Sequence, residues 1–143
     1  MDTLRTLARR LLGAFLVFTG TGHLTFARAE FQAQVPSWIP LDADLVVLVS
    51  GVVELVLGLA LLVAPRRWQP RVGWVVAAFF VAIFPGNLAQ WAEGRAAFGL
   101  DSDAARAVRL LFQPVLVAWA LWSTGAWREW RDSVSSGRTE SRR

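Results

Sequence analysis

Three stretches of this chain, Leu11 to Ala27, Leu45 to Ala64 and Val72 to Ala92, contain a single Asp, Glu, Arg or Lys between them, Glu54. A fourth, Ala107 to Trp127, carries only Arg109. Each is long enough to cross a hydrocarbon core of about 30 Å as a helix. An ordinary soluble globule needs charged surface on every element, so this pattern excludes one. The composition agrees: 55% of the residues are apolar and only 18% are charged, against about 25% charged in soluble domains. The expected fold is all-α, an integral membrane four-helix bundle with spans at about 11–27, 45–64, 72–92 and 107–127. Residues 1–10 form a cytoplasmic N-terminus and 128–143 a cytoplasmic tail, Ser/Gly/Arg-rich and expected to be disordered from about 133.

Arginine placement orients the bundle. The chain has 15 basic residues, all arginine, and 11 acids. Arg5, Arg9 and Arg10 precede the first stretch, Arg66, Arg67 and Arg71 fill the second connection, and five more follow the fourth stretch. The other two connections hold only Arg28, Arg95 and Arg106, beside acids such as Asp42, Asp44, Glu93 and Asp101. The positive-inside rule then puts both termini and the second connection in the cytoplasm. Arginines flanking spans, not gathered in one run, point to orientation and away from nucleic acid. Arg5 to Ala29 also imitates a signal peptide ending in Ala-x-Ala. Its apolar run, however, continues into Gly20-Thr21-Gly22-His23, a helix-packing face more than a signal core, and three further spans follow.

With no cysteine and one histidine, the chain has no disulfide framework, thiol nucleophile or Cys-ligated cluster, and no metal centre is expected. The informative residues are the polar ones inside the spans, because each costs free energy in lipid and must face protein, water or ligand. These are His23, Glu54, Asn87, Gln90, Arg109 and Gln113, all in the outer half or at the midplane, with Glu54 deepest at roughly 14 Å. Helical side chains tilt toward the helix N-terminus, so His23 and Asn87 lean inward while Glu54 and Gln113 lean outward, and the groups converge. Gly13, Gly20 and His23 share one stripe and Gly51, Glu54 and Gly58 another, the small residues letting helices approach closely. Pro85 and Pro114 each remove a backbone donor beside Asn87 and Gln113. The blander reading is a buried His23–Glu54 pair that fixes helix register, Asn87 and Gln113 serving the backbone, Arg109 snorkelling and Gln90 solvated.

Gly22-His23, then Val35-Pro36 with Trp38 and Pro40, then Ser50-Gly51-x-x-Glu54-x-x-x-Gly58 stand in one order along the chain. They are followed by Phe84-Pro85-Gly86-Asn87 and by Arg109-x-x-x-Gln113 with Trp119. Over roughly residues 8 to 127 this series resembles the DoxX-like family of small membrane proteins. The resemblance implies a four-helix membrane bundle, some relatives being subunits of quinone-reducing thiosulfate oxidation systems or partners in membrane oxidoreductase complexes. This chain departs from any thiol-dependent version, having no Cys.

The expected function is that of a redox-linked subunit of the bacterial inner membrane whose outer pocket binds a quinone or another lipophilic molecule. Glu54 and His23 would form a proton relay, and Asn87, Arg109 and Gln113 would bind the ligand's oxygens. No cofactor is expected to be covalently bound. The lipid bilayer, a membrane oxidoreductase and the lipophilic molecule are the expected partners. A non-catalytic membrane adaptor or assembly factor is the alternative, and a proton-transfer enzyme of isomerase type on a lipophilic substrate is a third; whether any turnover occurs is left open.

Overall fold

The computed structural model describes residues 2–99 and 101–140. It is all-helical, with no strand among the described residues. Among the described residues six α-helices run in chain order: α1 Thr3–Leu24, α2 Arg28–Gln32, α3 Ala43–Val63, α4 Gln69–Ala92, α5 Asp103–Ser123 and α6 Ala126–Glu140, with one 3-10 turn, Arg66–Trp68, leading into α4. Among the described residues three segments are long and apolar enough to cross a membrane: Ala43–Val63, Arg66–Ala92 and Asp103–Ser123. The first long helix starts at Thr3, eight residues before the stretch expected at 11–27, and so takes in Arg5, Arg9 and Arg10. The tail differs from expectation. The chain is helical from Ala126 to Glu140, where disorder is expected from about 133, and its hydroxyls bond back into the helix, Ser133 to the Trp130 carbonyl and Ser136 to that of Asp132. An alternation of charged and small polar residues has no apolar period to signal a packed helix, yet it can propagate one already begun at Ala126.

Local chemistry explains the element ends. Asp42 caps α3 by accepting from the Leu45 N–H at 3.1 Å, and Ser102 caps α5 by accepting from Ala105 at 3.1 Å, each satisfying a donor the first turn leaves free. Gly125, at φ +79, turns the chain out of α5 into α6, a left-handed conformation that glycine adopts without a Cβ clash. Pro85 and Pro114 lie inside α4 and α5 without ending them. Each removes one N–H from the ladder and leaves the rest to hold it.

The long helices pack as two antiparallel pairs, α1 with α3 and α4 with α5. In the first pair Gly13 meets Gly58 and Gly20 meets Gly51: a Cβ on Gly13 would lie 2.9 Å from the Gly58 carbonyl, and one on Gly58 2.8 Å from that of Gly13. Only glycine lets two helix backbones come this close. The pairs join through a core of Leu12, Leu16, Leu57, Leu61, Val76, Phe80, Ala120 and Leu121. The Trp119 indole N–H also bonds the Ala8 carbonyl at 2.9 Å. α3 and α4 touch each other far less than the paired helices do, so the two hairpins diverge, and space opens between them toward the long connections 25–42 and 93–102.

Candidate functional site

That space is a cavity of about 660 Å³ between the hairpins. Every one of the five side chains singled out in the sequence as catalytic or ligand-binding lines it: His23 from α1, Glu54 from α3, Asn87 from α4, and Arg109 and Gln113 from α5. Its remaining walls are mostly apolar, with Phe15, Phe79, Phe80 and Phe112 prominent. Glu54, Asn87 and Gln113 are buried, His23 and Arg109 partly so. The opposing side-chain tilt of antiparallel helices brings together groups that start at different depths.

The His23 Nδ1 lies 2.9 Å from the Thr19 carbonyl and 2.9 Å from Glu54 Oε2. A carbonyl can only accept, so Nδ1 carries a hydrogen, which faces both the Thr19 carbonyl one turn back and the Glu54 carboxyl group. Glu54 Oε2 is buried beside the ring at ion-pair distance and has no hydrogen-bond partner besides that contact. Across the cavity Arg109 Nε donates to Asn87 Oδ1 at 3.3 Å, and Gln113 Nε2 donates to the Phe80 carbonyl at 2.9 Å. Gln113 therefore serves the backbone of the neighbouring helix, one residue before the carbonyl that Pro85 deprives of its donor. Asn87 serves Arg109 and not the backbone.

An aromatic cover lies over the mouth. The His23 ring stacks on Phe31 with centroids 3.4 Å apart, and Phe31 meets Phe98 edge-on at 4.8 Å. The Arg109 guanidinium sits 5.6 Å from the Phe98 centroid, within reach of a cation–π attraction. Phe98 has φ +53, an unusual conformation for a bulky residue; its N–H is tied to Glu30 at 2.8 Å. Arg95 donates to the Val35 carbonyl at 2.9 Å, and Ser37 donates to Glu93 at 3.0 Å. Arg28 pairs with Asp44, which also accepts from Gln32 at 2.7 Å; the hydrogen bond to Asp44 raises the Arg28 pKa above its ordinary value. The loops over the cavity are thus cross-linked by polar contacts that the sequence gives no means of pairing.

Two further residues differ from the sequence reading. Gln90, expected to be solvated, is 1% exposed. Arg9, expected outside the first span, is buried at the opposite end of the bundle and donates to the Leu61 carbonyl. Its position three to four residues before Leu12 and Gly13, on the same stripe, is the signal that could have found it. Among the described residues no three His, Asp or Glu side chains gather in a way that could hold a metal ion.

The fold and its apolar helices define a helical membrane protein with a polar cavity between two hairpins. Residues 12–124 match the family described as a domain of unknown function (DUF8561), and the chain belongs to that family. No curated protein and no solved structure matches it, and nothing in these comparisons connects it with the DoxX-like family.

Proposed function

We propose that the chain is a four-span protein of the bacterial inner membrane, with both termini cytoplasmic, that binds a quinone or a similar lipophilic molecule between its hairpins as a redox-linked subunit. One observation carries this reading: a cavity of about 660 Å³ with phenylalanine walls gathers His23, Glu54, Asn87, Arg109 and Gln113. Small-molecule sites have this character, mostly apolar with a few convergent polar groups. The register of α1 against α3, Gly13 on Gly58 and Gly20 on Gly51, supports the fourth crossing, since it carries α1 along a helix that is itself long enough to span. The arginine asymmetry supports the orientation, and the resemblance to DoxX-like proteins supports the link to a membrane oxidoreductase.

The residues fit such a ligand. The buried Glu54 Oε2 has no hydrogen-bond partner beyond its 2.9 Å contact with His23; a hydroxyl of the reduced, quinol form would donate to it, where a quinone carbonyl could only accept. Arg109, Asn87 and Gln113 offer N–H groups that would hold ligand oxygens, and the phenylalanines exclude water. A bound quinone would supply carbonyl oxygens and a redox couple that takes up protons. Glu54 and His23 would hold and pass the proton, at Oε2 and at the imidazole nitrogens.

Thermal shift in mild detergent with added benzo- and naphthoquinones tests the reading. Wild type should be stabilised by at least one of them, and His23→Ala and Gln113→Ala should abolish the shift while lowering the unliganded melting temperature far less. The absence of any shift in wild type would favour the adaptor reading instead.

A further inference from the structure

A second cavity, of about 720 Å³, lies on the α4–α5 face toward α6. Phe80 and Gln113 line both cavities, so this hydrogen-bonded pair forms the boundary between them. Apart from Gln113, the second is lined only by aliphatic and aromatic side chains, among them Phe84, Pro114, Val117 and Leu121, with Trp122 and Trp127 at its far end. From Gln113 to Trp122 the groove follows α5 for about 14 Å at 1.5 Å per residue. Its one polar end is at Gln113, midway along the Asp103–Ser123 helix. A bilayer lipid lying in this groove would have its head at the membrane surface and would set an apolar chain against the carboxamide. The match is instead to a molecule whose polar part sits at mid-depth, in the neighbouring cavity.

We infer that the ligand is amphipathic, with a compact oxygen-bearing head in the polar cavity and a single apolar chain that passes Gln113 and lies in the α4–α5 groove. This rests on the proposed binding function and adds the ligand's class: a chain-bearing molecule binds and its bare head binds weakly. Gln113 is the positioning residue at the junction. One N–H anchors its carboxamide to the Phe80 carbonyl, leaving the other N–H and the oxygen to mark where polar surface ends.

Two probes in the same detergent decide it, a dimethoxy-methyl-benzoquinone and the same ring carrying a decyl chain. Wild type should bind the decyl probe at least about tenfold more tightly than the bare ring, from the apolar surface buried. Ala118→Trp and Val117→Phe fill the groove without touching the polar cavity; each should bring the two affinities within about twofold while leaving the bare ring's affinity unchanged. A chain preference that survives in either folded variant overturns the inference. Independently of the variants, a decyl probe with a photoreactive group at its chain end should label the Leu121–Trp127 segment of wild type, and labelling confined to other segments would overturn the inference as well. If both probes bind equally to wild type, the chain site fails while the binding function stands. If neither binds, both fail.

Discussion

Gly20 and Gly51 touch backbone to backbone: a Cβ on Gly20 would lie 2.9 Å from the Gly51 carbonyl, and one on Gly51 would lie 3.1 Å from that of Gly20 and 2.6 Å from the His23 Cβ. The contact holds α1 against α3 at the level where His23 and Glu54 meet, so the packing of the seam and the geometry of the site are one arrangement. Gly51→Leu should therefore lower stability by about 1–3 kcal/mol, the usual cost of overpacking, and should weaken ligand-dependent stabilisation. Gly137→Ala, in a helix position with nothing within 4 Å, should change stability by no more than about 1 kcal/mol, in the stabilising direction. Detergent melting curves check both, and a Gly51→Leu protein as stable as wild type would contradict the close seam.

Glu54 provides a test with an informative sign. A connected pair with His23 would make Glu54→Leu destabilising. With Oε2 buried 2.9 Å from His23 Nδ1, Glu54→Met should lower the stability of the unliganded protein by about 1–3 kcal/mol and remove any quinone-induced shift. Glu54→Gln should keep the fold and lose proton exchange. The comparison of melting temperatures with and without ligand reads both effects.

Phe98 pays for its place over the cavity with its backbone. At φ +53 a glycine is at ease and an alanine is not, so Phe98→Gly should hold the 93–102 connection better than Phe98→Ala by about 1 kcal/mol. Limited proteolysis of that connection measures the difference; equal cleavage rates for the two variants would remove the argument.

The chain contains no cysteine, which makes its topology testable by single introduced thiols. Ser37→Cys, in the long connection after α2, should react with a membrane-impermeant maleimide added to intact cells, and Ser136→Cys, on α6, should react only after lysis. Labelling of Ser136→Cys in intact cells would reverse the proposed orientation.

Much of this protein is written in one dimension. Apolar length and the near-absence of charge announce membrane helices, because in lipid the backbone has to satisfy itself within each segment. The Gly13/Gly20 and Gly51/Gly58 spacings announce a close seam, and His23, Glu54, Asn87, Arg109 and Gln113 stand out because polar groups in such segments are expensive. What no spacing could decide is which of these groups bond to which. On the blander reading both Asn87 and Gln113 serve the backbone; Gln113 does so at the Phe80 carbonyl, 2.9 Å away, whereas Asn87 accepts from Arg109 at 3.3 Å, and these choices depend on the angle at which α4 meets α5. The burial of Arg9 against Leu61, the stacking of Phe31 on His23 and the groove beyond Gln113 likewise exist only once the hairpins have diverged. Helix formation and depth follow from local chemistry and hydropathy, but the cavity is the space left between two pairs of helices, and that space is set by packing contacts far apart in the chain.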